Sequence, residues 1–367
     1  MLDMSMPSKR GWRTLCTLTA LLALALAQNS GVVEAGVGGM PLPAAGKAPI
    51  RAIHISLEPG AIADEQVSPV LAKKLILRAR ENGFNTLVIL LSNQVRLNSN
   101  PTPVKDSRAW SREDFLDVAG FARNQGLEIV PEIKLLTHQE KLLKKHRPDL
   151  LFNDFTYDPR KESVYQLIFP VLDELIELIH PRAIHIGHDE VAGWVWKRKS
   201  LPDLRVGNLP DEQPMLPAEL YLQDILKLHG YLKAKGVETW MWGDMLISPA
   251  EFPDMLDRDL HGTVEGYGKP LRDKLPRDIV ICDWHYSDDQ SDFPSMDVMQ
   301  KEGFRVIGSI WKKEKTTRNF SRYAARHGAM GMMATTWFHV RKNEWGVVDS
   351  IIDVSGTAFL KDFPDAK

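Results

Sequence analysis

Residues 52–91 decide the fold: AIHISL at 52–57, SPVLAKKLILRARENG at 68–83 and TLVILL at 86–91. The first and last runs are short, largely apolar and rich in β-branched residues, as strands covered on both faces must be. The middle run opens with a capping hydroxyl on Ser68 and a proline at the first helical position, Pro69. It ends at Gly83, which suits the left-handed turn leading into the next strand. Strand, helix, strand is the unit of a parallel sheet.

That unit recurs to the end of the chain. Strands are expected at Ala52–Leu57, Thr86–Leu91, Leu127–Ile133, Ala183–Ile186, Glu238–Trp242, Asp278–Trp284, Arg305–Ile310 and Gly331–Trp337. Ser111 with Asp114 begins another amphipathic helix, whose apolar residues include Phe115, Val118 and Phe121, and Gly126, Gly236 and Gly303 close helices as Gly83 does. Eight such units of unequal length predict an α/β fold, one (β/α)8 TIM barrel forming a single catalytic domain over residues 50–367. Two connections, Ser92 to Trp110 and Val195 to Pro217, are long enough to be functional lids. Both follow the C-terminal end of a strand, the face on which barrel enzymes build their sites.

Composition is that of a soluble globular protein, with 44% apolar and 26% charged residues. A net charge of −2 with interspersed signs offers no basic surface to nucleic acid. The first residues differ: Lys9, Arg10 and Arg13 precede an apolar run from Leu15 to Ala27, with Ala25-Leu26-Ala27 or Val33-Glu34-Ala35 as a cleavage site. Residues 1–35 are therefore expected to be a signal peptide and 36–49 a linker rich in Gly, Pro and Ala. The mature protein is expected to be exported, periplasmic or extracellular. The run is shorter than the roughly 20 residues of a spanning helix, so no membrane span should remain. Cys16 lies in the leader, which leaves Cys282 without an intrachain disulfide partner.

The densest group of titratable residues is His185-Ile186-Gly187-His188-Asp189-Glu190, where the fourth strand runs into its loop. Adjacent carboxylates dehydrated together cannot both be ionised cheaply, so Asp189 and Glu190 should divide into a proton donor and a charged partner. That division suits glycoside cleavage.

With Val191 the stretch resembles the His-x-Gly-Gly-Asp-Glu motif of glycoside hydrolase family 20, the β-N-acetylhexosaminidases. Pro131-Glu132-Ile133 followed by His138, Trp240-Met241-Trp242-Gly243-Asp244-Met245, Asp283-Trp284-His285-Tyr286 and Trp337 fall in that family's order. The likeness is nearest to its short, barrel-only members similar to hexosaminidase D. It implies retaining exo-hydrolysis of a terminal β-linked N-acetylglucosamine or N-acetylgalactosamine, without metal or cofactor. In that scheme the sugar's own acetamido oxygen attacks the anomeric carbon and forms an oxazolinium. It implies Glu190 as general acid and then base, with Asp189 holding the acetamido N–H and the developing positive charge. It also implies a wall of Trp242, Trp284 and Trp337, a ring hydroxyl on Asp244, and the acetamido carbonyl on Tyr286. His138 and His185 would tune the pair or orient neighbours.

Three positions depart from the pattern. His188 replaces the motif's second glycine, Lys134 an aspartate, and Glu58-Pro59-Gly60 the segment carrying an arginine that grips sugar hydroxyls. A cation at Lys134 could pair with Asp189 or Glu58 and depress a carboxylate pKa. Two other readings stay open: a silent sugar-binding barrel that keeps the aromatic pocket, and a zinc hydrolase using His138, His185, His188, Asp189 and Glu190.

Overall fold

A computed structural model describes residues 48–58, 65–102, 104, 108–139, 142–191, 209–210, 212–255, 262 and 265–365. The expected signal peptide, nearly all of the linker and most of the 195–217 connection lie outside the described residues, as do Pro59 and Gly60. No described helix is long and apolar enough to cross a membrane.

All eight expected strands form: β1 (Ile50–Ser56), β2 (Thr86–Leu90), β3 (Glu128–Leu135), β4 (Ala183–Gly187), β5 (Glu238–Trp242), β6 (Val280–Trp284), β7 (Arg305–Ile310) and β8 (Gly331–Thr335). Each pairs in parallel with the next, and β8 pairs with β1, which closes the barrel. Helices alternate with them: α1 (Pro69–Glu81), α2 (Arg112–Asn124), α3 (Glu162–Ile179), α4 (Ala218–Ala234), α5 (Lys269–Arg272), α6 (Pro294–Lys301), α7 (Glu314–Arg326) and α8 (Trp345–Asp362).

The local signals act as expected. Ser68 Oγ accepts the Leu71 N–H at 3.2 Å, and Ser111 and Asp114 form a reciprocal capping box. Gly83, Gly126, Gly236 and Gly303 all take left-handed φ between +73° and +91°. β8 stops at Thr335, short of the expected Trp337, because Trp337 itself turns to φ 42°.

Two apolar layers hold the barrel. One, including Ile53, Ile55, Leu87, Ile89, Leu75 and Phe115, fills the space between strands and helices. The other, including Ile50, Ala52, Val88, Val130, Ala183, Ile307 and Met333, fills the barrel's lower interior. Toward the C-terminal ends of the strands the interior turns polar, with His54 on β1, Glu132 on β3 and His185 on β4, all fully buried. Beside this layer the β3–β4 register shifts between Glu132 and Leu135, the kind of irregularity that re-aims side chains near active sites.

Candidate active site

The site begins where β4 leaves the barrel. Gly187 and His188 take left-handed φ of 76° and 68°, and Glu190 one of 50°. Gly187 needs to be glycine twice over: its φ is positive, and an added Cβ would stand 3.2 Å from Lys134 Cα and 3.3 Å from the Ile133 carbonyl. The two non-glycine residues store strain of about 1–3 kcal/mol each, which persists only where surroundings over-determine the conformation. Leu136, His138 and Trp337, at the ends of β3 and β8, share the left-handed conformation, so strained backbone gathers on this rim.

What holds His188 is a buried network outside the barrel. Its Nδ1 lies 3.0 Å from the Ile186 carbonyl, which can only accept, and its Nε2 lies 2.9 Å from Asp224 Oδ2 on α4. Both ring nitrogens therefore face oxygens, one of the backbone and one of the Asp224 carboxyl group. Tyr157 and Tyr165 donate to the same carboxylate at 2.8 and 2.7 Å, and Tyr221 donates to the His188 carbonyl at 2.8 Å. His188 is therefore an anchor for the turn carrying Asp189 and Glu190. Asp224→Ala is expected to cost about 1–3 kcal/mol in chemical denaturation for each buried group it strands, namely His188, Tyr157 and Tyr165. His188→Gly should recover part of that loss, since glycine takes the same φ without a ring to satisfy; unchanged midpoints in both variants would remove the anchor.

The structure brings Asp189, Glu190 and His138 together. His138 Nε2 lies 3.3 Å from Asp189 Oδ2 and 3.5 Å from Glu190 Oε2. Asp189 has a side chain 9% exposed and Glu190 one 18% exposed, so the pair is unequally dehydrated. Burial alone would raise the Asp189 carboxyl, but His138 and Lys134 outweigh it and hold the group well below the usual carboxylate range. Asp189 Oδ1 is buried and has no hydrogen-bond partner among the described residues. Asp244 Oδ2 accepts the Glu190 N–H at 2.9 Å, and its Oδ1 takes the Trp284 indole N–H at 3.4 Å. Asp244 thus braces Glu190 and one wall of the site.

The tryptophans take unequal positions. Trp242 is fully buried, donates its indole N–H to Glu132 at 3.1 Å and packs 6.0 Å from Trp337. Trp337 is half-buried and lies against His54 at 4.8 Å. Trp284 stacks on Tyr286 at 4.7 Å, and Tyr286 meets Trp337 edge-on at 6.3 Å. Burial pushes the Tyr286 phenol well above its usual range, so it remains a neutral O–H donor.

His185 sits beneath this level. Its Nδ1 accepts the Gly187 N–H at 3.1 Å and lies 3.8 Å from Glu132. Burial pushes its pKa down to about 4 against the attraction of Glu132 and Asp189, so the ring is neutral and supports the turn from below. Glu132, which sequence reading placed in a family segment without a role, is the hub of this layer. It accepts from Trp242 and, at 2.9 Å, from His54. Burial opposes its charge, but His185 and His54 together hold it below the usual range. The available signal was a carboxylate in the middle of the apolar run Ile129–Ile133, two residues after Val130. His138, Asp189 and Glu190 also bring ligand atoms within 4.8 Å of one another, a span that would admit a cation. Lys134 already places an ammonium next to them.

Residues 78–345 match the family described as glycosyl hydrolase family 20, catalytic domain. The chain is 25% identical over 217 residues to hexosaminidase D of Bos taurus, covering 52% of this chain and 61% of that protein. It is 26% identical over 136 residues to a beta-hexosaminidase of Vibrio furnissii, covering 34% of this chain and 20% of that protein. It thus spans less than two thirds of these relatives' length. Among solved structures it resembles the β-N-acetylhexosaminidase of Bacteroides fragilis, with TM-score 0.56 and 17% identity over 83% of this chain and 65% of that one. It likewise resembles Dispersin B, with TM-score 0.52 and 16% identity over 85% of this chain and 99% of that one. At such identity these likenesses bear on the fold alone.

Proposed function

This chain belongs to glycosyl hydrolase family 20, and on that premise we propose that it is a retaining exo-β-N-acetylhexosaminidase acting through the substrate's own acetamido group. The observation that carries the reading is Asp189. A carboxylate this buried would ordinarily be neutral, yet it is held ionised with one oxygen, Oδ1, unsatisfied among the described residues. An amide N–H that becomes more positive as its carbonyl oxygen attacks is the donor such an acceptor fits. Glu190, less buried and braced through its N–H by Asp244, is the neighbour that delivers the proton to the leaving oxygen. The half-buried face of Trp337 with Trp284 and Tyr286 supplies an apolar wall for a sugar ring. We read the chain as exported on the charge and apolar pattern of its leader.

The test is a panel of aryl β-glycosides, comparing N-acetylglucosaminide and N-acetylgalactosaminide with the glucoside that lacks the acetamido group. At least one acetamido sugar should be turned over, and the glucoside more slowly by about 10²-fold or more, because a tethered nucleophile replaces a free one. Rates should survive a chelator. Comparable hydrolysis of the glucoside would remove acetamido participation, turnover lost to chelation would favour a metal at His138, Asp189 and Glu190, and binding without turnover would leave a silent sugar-binding barrel.

A further inference from the structure

At the barrel's mouth a lysine and a glutamate form a nearly buried ion pair. Lys134 Nζ lies 3.2 Å from Glu58 Oε1, with both side chains 11% exposed. Such a pair adds little stability over apolar residues of the same volume, so its field on its neighbours is its main consequence. Those neighbours are acidic. Glu132 from β3, and Asp189 and Glu190 from the turn after β4, act on the ammonium through space, while the Trp337 ring beyond β8 lies 5.9 Å away. His138 touches both Asp189 and Glu190, Asp244 accepts the Glu190 N–H, and His54 and His185 flank Glu132. Within this group Lys134 alone carries a permanent positive charge. Burial pulls its pKa down, but Glu58 first and then Asp189 hold it above the ordinary lysine value.

We propose that Glu58 and Lys134 are positioning residues for the catalytic pair: Glu58 tethers the ammonium where its charge serves Asp189 without an ion pair to Glu190. The inference rests on the acid–base roles proposed above. An untethered ammonium would pair with Glu190 and keep it ionised, unable to donate. With no ammonium, the dehydrated Asp189 carboxylate would keep its His138 contact but lose the Lys134 charge, and would take up a proton more readily.

The two ends of the tether therefore govern opposite limbs of the pH profile. In Lys134→Met, the acid limb of kcat/KM, set by protonation of Asp189, should move to higher pH by about one to three units. Lys134→Arg should restore it. In Glu58→Gln, the alkaline limb, set by loss of the Glu190 proton, should move to lower pH. Because Lys134→Met removes the cation paired with the nearly buried Glu58, the double variant Glu58→Gln/Lys134→Met is the safer fold, and it should show the acid-limb shift. Wild-type limbs in all folded variants, or a change in KM alone, would overturn the proposal. Should the wild type turn nothing over, the functional reading fails separately; carboxyl-carbon NMR titration of Asp189 in wild type and the double variant then decides, with coincident curves overturning the tether.

Discussion

Glu190→Gln is expected to lower kcat by about 10²–10⁴-fold while leaving KM nearly unchanged. Glutamine fills the same volume and leaves the backbone N–H to Asp244 intact, so substrate should still bind. In the proposed mechanism, what disappears is the proton for the departing oxygen and, in the second half of the reaction, the base that activates water. The loss should grow with the basicity of the leaving group: a sugar alkoxide needs the proton far more than an activated phenolate does. Added azide should partly rescue turnover of an activated aryl substrate, since an anionic nucleophile needs no base. A loss independent of the leaving group would point to displaced geometry instead of missing acid, and wild-type rates in the variant would end Glu190's role.

The barrel was legible because each strand is a short apolar run and each helix carries its own start and stop signals, as Ser68-Pro69 and Gly83 illustrate. The polar upper interior was much less so. In AIHISL the imidazole of His54 reads as one polar residue in a packed strand, yet the period of two puts it on the same inward face as Ala52. Glu132 follows Val130 inward in the same way, and only the closed barrel brings these side chains together around Trp242. Asp224 offered a sharper clue: it lies three residues after Tyr221 on the buried stripe of α4, a place where a carboxylate must have partners. Those partners, Tyr157, Tyr165 and His188, come from distant segments that no local pattern joins. Lys134 was visible as an unexpected cation, with Asp189 and Glu58 both open as partners; Glu58 takes the contact and leaves Asp189 within its field.

Asp189→Ala is expected to reduce kcat by about 10²–10³-fold and to weaken a thiazoline mimic of the oxazolinium by a comparable factor. Both effects come from one source. In the proposed mechanism, positive charge builds on the amide nitrogen as the acetamido oxygen bonds to the anomeric carbon, and the buried Asp189 carboxylate is the group that meets it. Ground-state substrate carries no such charge, so its affinity should fall much less than that of the mimic. Asp189→Asn separates shape from charge: it keeps an oxygen able to accept the N–H, yet its loss should approach that of alanine if electrostatics dominate. His138 has to be separated from this effect, because it also contacts Glu190 at 3.5 Å and loss of the Asp189 contact favours a lean toward that carboxylate. Such a lean would move the alkaline limb of the pH profile and leave the mimic's affinity untouched. Parallel losses in kcat and in inhibition, with the limb in place, assign the charge to Asp189; a mimic that binds the alanine variant as tightly as wild type takes that assignment away.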